Sequence, residues 1–133
     1  LANPAAMEGY GGLKQTNDSA GHKAGDALIC RAAASLQPLT GAACDGYRLG
    51  GDEFLLVLPG CSRRELRQTK AAWAETLRRL NADGAQEPCR MAVGAAFAQG
   101  RVSVPELVQQ ADREMYENKR AWQAAGRTAA RGL

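Results

Sequence analysis

An α+β fold, with helices packed on a mainly antiparallel central sheet, is what this sequence predicts. Three observations carry that prediction. The elements run helix, hairpin, helix, strand, helix, the mixed order of folds whose helices gather on an antiparallel sheet. Gly50-Gly51-Asp52 sits between two short strand-like segments, and its glycines supply the φ > 0 conformations of a tight hairpin turn. Two Ser-x-x-Glu capping boxes, Ser62 to Glu65 and Ser103 to Glu106, open the two longest helical patterns.

Each element has its own signal. Leu1 to Met7 could begin a helix, while Glu8 to Gly12 is glycine-rich and shows no periodicity. Asp26 to Leu36 carries Leu28, Ile29, Ala32, Ala33 and Leu36 at helical spacing, and Pro38 and Gly41 end it. The hairpin strands are Asp45 to Leu49 and Glu53 to Leu58, closed by Pro59-Gly60. The helix opened at Ser62 carries Leu66, Ala72 or Trp73, Leu77 and Leu80 on one side and stops at Asn81-Ala82-Asp83-Gly84. Arg90 to Phe97 reads as a third strand. The last helix buries Leu107, Ala111, Met115 and Trp122. Pro105 is tolerated in its first turn, where backbone N–H groups have no partner.

Composition narrows the function classes. The chain has 133 residues, one domain's worth, and is 45% hydrophobic and 23% charged, enough for a single core under a charged surface. No apolar run approaches the roughly 20 residues of a membrane helix, and no signal peptide is visible at Leu1. A net charge of +3 without a clustered basic face points away from nucleic acid. None of Cys30, Cys44, Cys61 and Cys89 forms a C-x-x-C pair, which argues against zinc and for buried thiols in a reducing cytosol.

Two segments hold the chemistry. In the first, Lys14-x-x-Asn17-Asp18-x-x-Gly21-His22-x-x-Gly25-Asp26, an amide and a carboxylate together can read a purine edge, and a lysine can pair with phosphate. The plainer readings are that Asp26 caps a helix and Asn17-Asp18 is a turn. In the second, Gly50-Gly51-Asp52-Glu53-Phe54, glycines admit a ligand close to the backbone and two carboxylates stand at the exit. Carboxylate oxygens with substrate phosphates suit Mg²⁺. The plainer reading is an ordinary hairpin with an exposed acidic pair.

Together these segments resemble the GGDEF family of diguanylate cyclases. The family pattern F-K-x-x-N-D-x-x-G-H-x-x-G-D stands here as Leu13-Lys14 through Asp26, and R-x-G-G-D-E-F as Arg48 through Phe54. Ala111-Asp112-x-x-Met115-Tyr116-x-x-Lys119 looks like the family's A-D-x-A-L-Y-x-A-K helix. The resemblance implies a nucleotide-cyclase-like fold with a ferredoxin-like core and the GGDEF turn in its β-hairpin. It implies an enzyme that condenses two GTP into cyclic di-GMP, releasing pyrophosphate, at a homodimer interface with Mg²⁺ or Mn²⁺. Carried over by position, Asn17 and Asp26 recognise guanine, Lys14 and Lys119 bind phosphate, and Gly50 and Gly51 admit the phosphates. Asp52 and Glu53 bind metal or assist deprotonation. His22 is read as a loop-bracing residue. The competing reading is a degenerate domain that holds GTP, or serves as a protein-interaction module, without catalysis. The resemblance further implies a cytoplasmic domain, with a sensor or membrane region, and any inner-membrane tether, elsewhere in a larger signalling chain.

The sequence also departs from the family. An Asp-x-Asp pair, the first Asp a metal ligand, ordinarily precedes F-K; the matching positions are Gly9 and Gly11, with Glu8 one residue off register. Leu1 to Met7 resembles the family's opening L-x-N-R-x-x-F, which would leave a helix and the central strand missing near residues 10–11 of a single domain spanning 1–133. The product-inhibition motif R-x-x-D falls on Gly41 and Cys44, so the usual inhibitory site is expected to be absent. The basic residue expected after Lys119 falls on Gln123, with Arg127 one turn further on as a substitute.

Overall fold

The computed structural model describes residues 3–82 and 89–124, without the side chains of residues 122 and 123. The expected roles of Trp122, Gln123 and Arg127, and the helix stop at Asp83-Gly84, lie outside the described residues. Four strands form one sheet in the order β2-β3-β1-β4, and every neighbouring pair is antiparallel. The strands are β1 (Ala5–Tyr10), β2 (Asp45–Gly50), β3 (Glu53–Leu58) and β4 (Ala92–Phe97). The α-helices are α1 (Leu13–Ala20), α2 (His22–Leu36), α3 (Arg63–Ala82) and α4 (Val104–Ala124).

The central strand, expected to be missing near residues 10–11, is therefore present. It is β1, where a helical opening was expected. Met7 pairs with Leu56 on one side and Ala95 on the other. The chain continues from Tyr10 through Gly11, whose N–H donates to the Asp52 carbonyl at 3.1 Å, into α1. Ala5-Ala6-Met7-Glu8-Gly9 shows no alternation because β1 is covered on both faces.

Strand alternation divides the core. On one face Ala5 and Met7 join Phe54, Leu56 and Leu58 beneath Leu28, Ala32 and Leu36 of α2 and Trp73 and Leu77 of α3. On the other, Ala6, Leu55, Val57 and Ala96 pack under Leu107 and Ala111 of α4. Trp73, not Ala72, takes the buried place in α3, and its indole N–H donates to Ser35 Oγ at 2.9 Å. The Ser62–Glu65 box is reciprocal: the Ser62 N–H donates to Glu65 Oε1 and the Glu65 N–H to Ser62 Oγ, both at 3.0 Å. At the β4 edge, Asn118 and Glu114 of α4 accept from the N–H groups of Val93 and Ala95. Those edge donors are thereby occupied. Cys44, Cys61 and Cys89 are buried, and burial pushes the Cys89 thiol up to about 12. Cys30 is exposed, contrary to the reading of all four as buried thiols.

Candidate functional site

The hairpin turn brings the two sequence segments together. Gly50 and Gly51 adopt φ of 152° and 48°, open to few residues with a side chain. The Arg48 guanidinium braces the turn, donating from Nε (2.9 Å) and Nη2 (2.6 Å) to the Gly51 carbonyl. Asp52 then reaches across to α1, where its Oδ2 accepts from the Leu13 N–H at 2.5 Å. Helix α1 has no side-chain cap of its own, so a carboxylate from the hairpin serves one of the orphan N–H groups of its first turn. Lys14, on the same turn, is exposed.

Helices α1 and α2 meet at Gly21, whose N–H donates to the Asn17 carbonyl at 2.9 Å. Asn17 lies inside α1 and Asp26 inside α2, so Asn17-Asp18 is not a turn and Asp26 caps no helix. The Asn17 Oδ1 is buried without a hydrogen-bond partner in the protein. A side chain at Gly25 would overlap that oxygen, so glycine there makes its room. A buried acceptor left without a donor is costly; a ligand N–H would satisfy it. Asp26 is exposed four residues into α2. His22 is exposed at the first position of α2.

Asp52 and Glu53 part company. Asp52 sits against Gly11 and its charge is felt by the Cys89 thiol. Glu53 lies opposite Tyr10, and its charge acts on Glu8. The two carboxylates face different neighbours. Among the described residues no group of three or more His, Cys, Asp or Glu is placed to hold a metal ion. Gly9 shows why: a Cβ there would stand 2.7 Å from Trp73 Cη2 and 2.8 Å from Met91 Cε. Aromatic and thioether fill the place of the expected carboxylate. The residues present do not fit a protein-built seat for the expected Mg²⁺ or Mn²⁺.

On the α4 side, sequence reasoning named Lys119 but gave no role to Tyr10 or Asp112. Glu8 is only 2% exposed and its Oε2 has no partner in the protein. Burial, then a hydrogen bond with Asp112 and the negative charges of Asp112 and Glu53, push its carboxyl up to about 8. Lys119 lies with its ammonium 3.8 Å from the Tyr10 ring centroid and 5.7 Å from that of Tyr116. Only the off-register position of Glu8 hinted at this in the sequence.

Comparison with known proteins shows the family. The family model "Diguanylate cyclase, GGDEF domain" matches residues 10–124. The chain belongs to the GGDEF diguanylate cyclase family. Diguanylate cyclase DgcN of Escherichia coli K12 is 34% identical over 111 residues, covering 80% of this chain and 27% of the relative. Diguanylate cyclase DosC of the same strain is 29% identical over 111 residues, covering 81% of this chain. The chain spans 24% of DosC, about a quarter of such relatives. Among solved structures, the GGDEF domain of YfiN (TpbB) from Pseudomonas aeruginosa superposes with a TM-score of 0.77 at 27% identity, covering 98% of this chain and 74% of that one. Diguanylate cyclase SiaD, in complex with its activator SiaC from the same species, shares the fold (TM-score 0.77, 23% identity, 90% and 47% covered). Among the described residues no helix is long and apolar enough to cross a membrane.

Proposed function

We propose that this domain is a diguanylate cyclase: it binds GTP between the α1–α2 segment and the Gly50–Asp52 turn, and two copies facing each other condense two GTP into cyclic di-GMP. The observation that carries this reading is the docking of Asp52 on the N-terminus of α1, which joins both motifs in one place. Asn17 and Asp26 read the guanine edge, and the unpartnered Asn17 Oδ1 accepts from the base. Lys14 and Lys119 meet the phosphates as point charges, while Gly50 and Gly51 let them approach the turn. The 3′-hydroxyl of one nucleotide attacks the α-phosphorus of the other. An O–P bond forms, the bond to pyrophosphate breaks, and the hydroxyl proton passes to a base, for which Glu53 is the candidate. Two such steps close the ring and release two pyrophosphates.

Diguanylate cyclases of this family are divalent-metal dependent. The gap at Gly9 favours a second reading, a domain that holds GTP without turning it over. Sensor or membrane regions, a cytoplasmic location and the homodimer are part of the same proposal. The test is to incubate the full-length protein with GTP and Mg²⁺ or Mn²⁺ and separate the nucleotides. Cyclic di-GMP with two pyrophosphates per product, lost in Asp52→Ala and Glu53→Ala, supports the cyclase. GTP bound and recovered unchanged supports the second reading.

A further inference from the structure

Tyr10 is the last residue of β1, paired with Glu53 on β3 and Ala92 on β4. Alternation puts it on the face covered by α4, where its half-buried ring packs against Ala92 and Met115. The next residue, Gly11, donates its N–H to the Asp52 carbonyl. The ring is thus one peptide away from the point where the hairpin turn is tied to the central strand. Above its face sits the Lys119 ammonium, 3.8 Å from the centroid, well within the roughly 6 Å over which a ring attracts a cation. Tyr116 is more distant, at 5.7 Å, and 55% exposed.

Among the described residues Lys119 makes no ion pair. The ring engages the cation without competing for its N–H donors as a carboxylate would. A lysine stem carries substantial rotamer entropy, and fixing the ammonium beforehand removes part of that cost when an anion binds. We propose that Tyr10 is a positioning residue, whose aromatic face holds the Lys119 ammonium beside the Gly50–Asp52 turn for the phosphates of a guanine nucleotide. This rests on the reading of Lys119 as a phosphate ligand.

The experiment titrates full-length protein with GTP and with guanosine, which has no phosphate. The variants are Tyr10→Leu, Tyr10→Phe, Lys119→Met and the double variant Tyr10→Leu/Lys119→Met. Tyr10→Leu is expected to weaken GTP about 3- to 10-fold and leave guanosine unchanged. Tyr10→Phe keeps the ring and restores GTP affinity to within about 2-fold of wild type, and the double variant is no weaker than Lys119→Met alone. If Lys119→Met weakens GTP and Tyr10→Leu does not, the positioning role is overturned while the phosphate reading stands. Equal loss of GTP and guanosine in Tyr10→Leu, not rescued by Phe, reduces Tyr10 to packing and also overturns it. If Lys119→Met leaves GTP affinity untouched, the phosphate reading falls and the positioning role with it.

Discussion

The two faces of β1 end very differently. Toward α2 and α3 the strand closes on Gly9, roofed by Trp73 and Met91, with the Trp73 N–H satisfied by Ser35. Toward α4 the same strand presents Glu8 and Tyr10, facing Asp112 and Lys119. One face is apolar and filled; the other carries charge against α4. A one-residue step along a strand exchanges its faces. An acidic residue one place off register therefore cannot replace the missing carboxylate, because Glu8 points to the wrong side of the sheet.

The largest expected effect lies on the closed face. Trp73→Ala removes a fully buried indole and should cost about 3–5 kcal/mol in denaturant unfolding. A cost below about 1 kcal/mol would mean that the roof over Gly9 is loose. Gly9→Asp, which restores the family's residue, should lose about 2–3 kcal/mol through overpacking, and Trp73→Ala in the same chain should recover part of that loss. Strict additivity of the two would show that they do not share the space.

The open face is expected to respond to pH. The Glu8 carboxyl, held at about 8 instead of its ordinary 4.5, is neutral in the fold where the unfolded chain would ionise it. Its contribution to stability is full below pH about 4.5 and is lost as pH rises through about 8. Glu8→Gln keeps the shape without the ionisation. Unfolding at pH 5 and pH 9 should show the wild type losing more stability than the variant, by about 1–2 kcal/mol. Parallel losses would show that Glu8 is not held neutral in the fold.

The smallest expected effect is none. Gly41 and Cys44 bond to each other across a tight turn, with Gly41 N–H to the Cys44 carbonyl at 2.9 Å, where an inhibitory site would need charged side chains. Cyclic di-GMP should therefore not inhibit through this turn. Tight product binding that survives mutation of Gly50–Asp52 would contradict this.

The parts legible in the sequence were those with local chemistry. The hairpin announced itself through Gly50-Gly51, and α3 and α4 through their Ser-x-x-Glu starts. Strand β1 was illegible because Ala5–Tyr10 owes its strand to β3 and β4 on either side. Helix α1 was missed because its only apolar anchor is Leu13 and its capping carboxylate arrives from Asp52, far along the chain. The proposed guanine-reading pair and the turn were visible as motifs. The Tyr10–Lys119 contact was not, since only the fold brings the end of β1 under α4.

The central claim is one guanine-nucleotide site built by α1, α2 and the turn. The direct measurement is the affinity of the full-length protein for GTP and ATP, in wild type and Asp26→Ala. Wild type is expected to prefer GTP. Asp26→Ala should weaken GTP by about 1–3 kcal/mol, roughly 5- to 150-fold, by leaving base N–H groups unpaired, with ATP unchanged. Equal binding of GTP and ATP by wild type, or equal weakening of both in the variant, would contradict it.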